Sequence, residues 1–153
     1  MPLELNRLAY ELSLRRLTQQ EAEISDLRAR TGTLLAASAI AGSVLGTRAF
    51  DGRGIQAPVV LGLGAFAASI LCAAFVLLPR RDLVFAISGS VLADSESGAP
   101  GGMAETYRRL AFWLDGFAEE NDVRLQPLIR AYKGATLALV AEVILWSIEI
   151  FRR

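Results

Sequence analysis

The chain of 153 residues is 53% apolar, with a mean hydropathy of +0.39 and 16 basic residues against 16 acidic ones. So apolar a composition in one domain's length of chain points to a membrane protein, and zero net charge leaves no electrostatic footprint for nucleic acid. The absence of His, with Cys72 as the single Cys, excludes His-based metal centres, catalytic triads, His proton relays and an intrachain disulfide, so no catalytic site, metal or cofactor is expected.

The N-terminal stretch MPLELNRLAYELSLRRLTQQEAEISDLRAR mixes acids and bases, unlike a secretory signal, and no removable leader is expected. Residues 3 to about 30 contain no Gly, and the only Pro stands at the start, where a helix tolerates it. This predicts an amphipathic cytosolic helix over 1–30. Leu5, Leu8, Leu12, Leu17, Ile24 and Leu27 form a drifting apolar stripe, suited to packing on a partner helix or, alternatively, to a membrane surface.

Two uncharged runs follow, TGTLLAASAIAGSVLGT (31–47) and IQAPVVLGLGAFAASILCAAFVLLP (55–79). A bilayer core takes about 20 helical residues, so the second run spans comfortably and the first spans if Arg48 reaches outward. The RAFDGRGIQAP between them suits a tight turn, and residues 31–79 are predicted to form a transmembrane hairpin. Small residues recur at four-residue spacing, Ser38, Gly42 and Gly46 on the first helix and Gly64, Ala68 and Cys72 on the second. Such faces let helices approach closely in lipid, within one chain or between chains, and Cys72 reads as a small packing residue.

Residues 80–132 are predicted as a cytosolic linker and a packing helix. LVFAISGSVLA is too short to span and of ambiguous period; DSESGAPGG reads as a flexible loop. Met103, Tyr107, Leu110, Leu114, Phe117, Asn121, Leu125, Leu128 and Tyr132 then fall at alternating steps of four and three, the spacing of helices packed side by side. Pro127 should kink this helix shortly before a third predicted span, 133–153.

If all three segments cross, Arg28, Arg30, Arg80, Arg81, Arg130 and Lys133 share one side, against Arg48, Arg53, Arg152 and Arg153 on the other. That bias fits a cytoplasmic N-terminus. Charge alone favours a rival topology in which 134–153 stays on the cytoplasmic face. The apolarity of Ala135 to Phe151, which lacks a wide polar face, favours spanning.

The last segment, GATLALVAEVILWSIEIFRR, holds two carboxylates. Glu142 falls ~14 Å beyond Lys133 and ~15 Å before Arg152 at 1.5 Å per residue, near the midplane of a span, where an acid costs about 2.5–3.5 kcal/mol. It is either a carboxyl hydrogen-bonded to a neighbouring helix backbone, or a residue that lines a constriction when several copies face a common axis. Glu149 lies near the span's end, within reach of Arg152 and Arg153, and reads as a boundary ion pair; Arg48 is a second candidate partner. One chain of three spans is too small to enclose a pore, so the constriction reading requires a homo-oligomer.

The stretches DLRARTGTLLAASAIAGSVLG, LLPRR and YRRLAFWLDGFAEENDVRLQPLIRAYKGATLALVAEVILW give the chain an architecture that resembles the small transmembrane effector proteins of bacterial antiphage defence, the Pycsar transmembrane effectors and the SLATT group. The likeness is strongest in RARTGTLLAAS and RAYKGATLAL. It implies a multi-pass protein of the bacterial inner membrane that assembles there and compromises the membrane when an infection signal arrives. It also implies a cytoplasmic part that senses a nucleotide second messenger or a protein trigger. The residues themselves include no Gly-rich phosphate loop; Arg108, Arg109, Arg124 and Arg130 could contact phosphates, although solvated helix charges explain them more simply. The expected function is therefore an oligomeric, non-enzymatic effector that forms a pore or disrupts the membrane. The alternative is a passive membrane adaptor whose Met103–Tyr132 seam docks a soluble partner.

Overall fold

The computed structural model describes residues 2–50, 57–80, 83–85 and 102–152, without the side chains of residues 2 and 48–50. Three helices account for nearly all of them: α1 (Pro2–Phe50), α2 (Ala57–Leu77) and α3 (Gly102–Phe151). There is no strand among the described residues. The charged N-terminal segment and the apolar run after it form one helix, and so do the packing seam and the terminal apolar segment. The turn predicted over 48–58, the ambiguous apolar segment and the loop of 94–102 lie wholly or largely outside the described residues.

α1 contains no Gly before Gly32 and no Pro after Pro2, so nothing interrupts its backbone ladder early on. α2 stops at Leu77, two residues ahead of Pro79, whose ring disfavours helical geometry in the preceding residue. α3 opens on Gly102 at φ +66°, a left-handed conformation that glycine adopts without steric cost, and it continues through Pro127.

The chain divides into two compact units, Met1–Ser25 with Arg80–Gln126, and Asp26–Pro79 with Pro127–Arg153. In the first unit α1 and α3 lie parallel. Asn6 Nδ2 donates to the Ala104 carbonyl at 2.8 Å and Gln20 Nε2 to the Ala118 carbonyl at 2.9 Å, a constant offset of 98 residues. The core face of α1 runs through Tyr10, Ser13, Leu17, Gln20 and Ile24, again at steps of three and four. The expected stripe turns out to be split: Leu17 and Ile24 face inward, whereas Leu5, Leu8 and Leu12 are exposed. On α3, Leu110, Leu114, Asn121 and Leu125 are buried together with Ala111 and Ala118, Tyr107 and Phe117 are half-buried, and Met103 is exposed. Leu17, Leu114 and Ala118 pack as one cluster, flanked by Tyr10 and Phe117.

A polar clasp closes this unit. The Asn121 amide donates to the Val84 carbonyl at 2.8 Å and accepts from the Val84 N–H at 3.3 Å, satisfying both backbone groups of a residue outside regular structure. Gln20 also donates to Asp122 Oδ1 at 2.6 Å, and Arg16 pairs with Asp122 Oδ2 at 2.7 Å.

In the first turn of α3, Glu105 accepts from Arg108 Nη2 at 2.8 Å and Arg109 Nε at 3.2 Å. Arg108, then Arg109, holds its carboxyl down from the usual 4.5 to about 2. A carboxyl depressed on folding stabilises the fold above its unfolded pKa, and the contribution disappears as pH falls through the folded value. Glu105 is therefore expected to stay ionised until about pH 2, as followed by its carboxyl carbon resonance. The Arg108→Ala, Arg109→Ala double variant should move that titration back toward 4.5.

Candidate functional site

The second unit reverses the usual arrangement of a globular protein. Its exterior carries Ile40, Val44, Leu61, Leu71, Leu137 and Ile144, all more than half exposed, while Thr31, Ser38, Ser69, Glu142 and Glu149 are buried inside. An apolar exterior over an interior that holds polar side chains among apolar ones suits a lipid surround better than water. α2 and α3 are long and apolar enough to cross a membrane. The apolar half of α1, an uncharged run from Thr31 to Thr47 between Arg30 and Arg48, is not among these candidates, which were found among the described residues.

The hydroxyls are handled locally where the backbone allows it. Thr31 donates to the Leu27 carbonyl at 2.7 Å, Thr47 to Ser43 at 2.8 Å, Thr136 to Tyr132 at 3.0 Å and Ser147 to Val143 at 2.7 Å. Each hides a polar group against its own helix. Ser69 reaches the Ala135 carbonyl of α3 at 3.4 Å.

Ser38 bonds to a carboxyl on another helix, and it defines the site. Its Oγ donates to Glu142 Oε2 at 2.6 Å, and both residues are 0% exposed. The other carboxyl oxygen, Oε1, is buried with no hydrogen-bond partner among the described residues. It lies over Gly42: a Cβ built there would stand 3.3 Å from Oε1 and 3.3 Å from a ring carbon of Phe66. Three helices thus contribute, α1 with Ser38 and Gly42, α2 with Phe66, and α3 with Glu142. The donor to the carboxyl is a side-chain hydroxyl, whereas the hydrogen-bonded alternative named a helix backbone. In this conformation Glu142 faces the interior of its own chain's unit.

Seven residues along α3 from Glu142, Glu149 is 2% exposed. No ion pair among the described residues joins it to Arg152. Its expected contacts with the side chains of Arg48 and Arg153 lie outside the described residues.

Between the two carboxylates Trp146 fills the space that small residues leave. A Cβ on Gly62 would stand 3.1 Å from its Cε2, one on Gly46 3.8 Å from its Cζ2, and Val59 and Leu45 pack beside it. The buried face of α2 is Val59, Gly62, Ser69, Ala73 and Val76. Gly64 and Ala68, expected at the packing face, are exposed, and a Cβ on Gly64 meets nothing within 4 Å. Small residues occur on more than one face of α2, so spacing alone does not select the face; the indole on α3 does. Cys72 Sγ lies 3.5 Å from a Cβ built on Gly134, an ordinary packing contact. Gly62→Leu is therefore expected to destabilise the unit by about 1–3 kcal/mol through overpacking, whereas Gly64→Leu should leave the protomer's stability nearly unchanged. Thermal unfolding of the two variants in detergent micelles checks the contrast.

Fold and site together define a helical protein with a unit that buries polar side chains, two of its helices being long and apolar enough to cross a membrane. No protein family, curated protein or solved structure matches the chain.

Proposed function

We propose that the chain is an oligomeric effector of the bacterial inner membrane, N-terminus cytoplasmic, that forms a pore or otherwise breaches the membrane. Three crossings are part of this reading, the apolar half of α1 entering the bilayer through the polar contacts it makes with α3. The observation that carries the reading is Glu142, fully buried with one oxygen bonded to Ser38 and the other without a partner among the described residues. A passive anchor has no need of a carboxyl at that depth, which costs about 2.5–3.5 kcal/mol on insertion scales, and leaving a buried polar atom unsatisfied adds about 1–3 kcal/mol. Both costs fall if α1 and α3 part and the carboxyl meets water on an axis shared with other copies. The described conformation is then the sealed one.

The defence setting rests on the resemblance of RARTGTLLAAS and RAYKGATLAL to the antiphage effectors, and with it the trigger, a nucleotide second messenger or a protein. The adaptor reading needs the Met103–Tyr132 seam free for a soluble partner. In the first unit Leu110, Leu114 and Asn121 of that seam are already buried within the chain itself.

Expression in bacteria under an inducible promoter tests the proposal, with membrane potential read by a potential-sensitive dye. Depolarisation soon after induction is expected. Cells that keep their potential while the protein accumulates in the membrane fraction would identify an adaptor.

A further inference from the structure

The first unit leaves an apolar surface uncovered on each of its helices. On α1, Leu5, Leu8 and Leu12 are 70%, 55% and 55% exposed and succeed one another at helical spacing. On α3, Phe112, which is 78% exposed, and Trp113 flank Gly116, and with Phe117 and Glu120 they line a groove of about 430 Å³. A Cβ on Gly116 meets nothing within 4 Å, so the notch between the two rings is open. Arg108 and Arg109 line an adjoining hollow against the same two rings.

We propose that the Leu5–Leu8–Leu12 stripe of one copy seats in the Phe112–Trp113–Gly116 groove of the next. The contact rests on the oligomeric reading above and supplies its interface. Charge complementarity favours a second copy as occupant. Along α1, an acid (Glu4) precedes a base (Arg15) by 11 residues; along α3, a base (Arg109) precedes an acid (Glu120) by 11 residues. Both spacings correspond to ~16 Å of helix.

A parallel alignment sets Glu4 beside Arg108 and Arg109, and Arg15 beside Glu119 and Glu120. An antiparallel one opposes like charges at both ends. The charges therefore select the parallel alignment. In that register Leu8 stands level with Phe112, and Leu12 with the notch at Gly116. Glu4, Arg15 and Glu119 are exposed and enter no ion pair among the described residues. Glu105 neutralises only one of the two charges of Arg108 and Arg109. Stripe and groove are different surfaces, so the contact is heterologous, and each copy offers both halves to successive neighbours.

Cysteine cross-linking of the full-length chain in native membranes tests the contact, in a Cys72→Ala background that removes the only native thiol. On oxidation, the Leu12→Cys, Gly116→Cys variant should give a ladder of dimers and higher multiples on a non-reducing gel, and neither single variant should. The Leu8→Cys, Phe112→Cys pair, at the same register, should give the same ladder and guards against a folding defect at Gly116. Arg15→Glu should lower the cross-linked fraction about 2- to 5-fold, and adding Glu119→Arg should restore it.

Monomers alone from both pairs, as expected if lipid or a soluble partner covers the stripe, would overturn the proposal. So would dimers from Leu12→Cys by itself, which would mean that stripe meets stripe. A ladder in cells that keep their membrane potential would sink the effector reading and leave the contact standing; depolarised cells without a ladder would do the reverse.

Discussion

Trp146→Ala is expected to destabilise the second unit by about 3–5 kcal/mol, near the low end of that range in a lipid or detergent surround. Trp146 is 1% exposed, and its indole occupies the space over Gly62 and Gly46 beside Val59 and Leu45. Lipid tails are as apolar as the protein interior, so little of the loss comes from hydrophobic transfer. What is lost is dispersion contact, because truncation leaves a void that two glycines cannot fill. Unfolding by denaturing detergent in mixed micelles measures the effect. A loss below about 1 kcal/mol would mean that the indole does not hold these helices together.

Glu142→Leu is expected to act in the opposite direction on stability and to abolish function. Replacing a buried, half-satisfied carboxyl by an apolar side chain of similar size relieves its desolvation; exchange of a whole buried ion pair for apolar residues is neutral or stabilising by about 1–4 kcal/mol, and the same sign is expected here. Ser38, deprived of its acceptor at 2.6 Å, can turn its hydroxyl to the carbonyl one turn back in α1, as other hydroxyls in the chain do. The variant should therefore resist detergent better than the wild type and yet fail to depolarise cells. A gain in stability with a loss of activity is the mark of a residue kept for function. Glu142→Gln, which retains an acceptor for Ser38, separates charge from shape: a permeability pathway lined by the carboxylate should lose cation preference in this variant. Depolarisation by Glu142→Leu equal to that of the wild type would remove Glu142 from the mechanism.

The legibility of the chain differs from helix to helix. On α3 the apolar positions repeat at steps of three and four with few rivals, and the structure buries Leu110, Leu114, Asn121 and Leu125. The matching face of α1 was hidden because half of it is polar: Asn6, Ser13 and Gln20 take core positions by hydrogen-bonding, while the more hydrophobic Leu5, Leu8 and Leu12 point outward. Hydropathy ranks side chains by transfer energy and is silent about amides that find partners on a neighbouring helix. One signal was available, since Tyr10, Ser13, Leu17, Gln20 and Ile24 already carry the three-four rhythm of α3.

The small residues of α2 illustrate a different limit. Gly62 and Gly64 are two positions apart in a run rich in Ala and Gly, and nothing local distinguishes them. The distinction comes from Trp146, more than eighty residues away. For Glu142 the depth could be computed from helix rise alone, and Ser38 could be picked out as a small residue on α1. That the two meet depends on the register between α1 and α3 in the second unit, which is written in no local pattern.

The central claim is tested most directly by cation flux through vesicles holding the purified full-length chain at high protein density, with insertion verified by protection from added protease. The account predicts that potassium escapes from these vesicles far faster than from protein-free ones, and that Glu142→Leu restores the seal. Vesicles that stay as tight as the empty controls while the chain is inserted would contradict it.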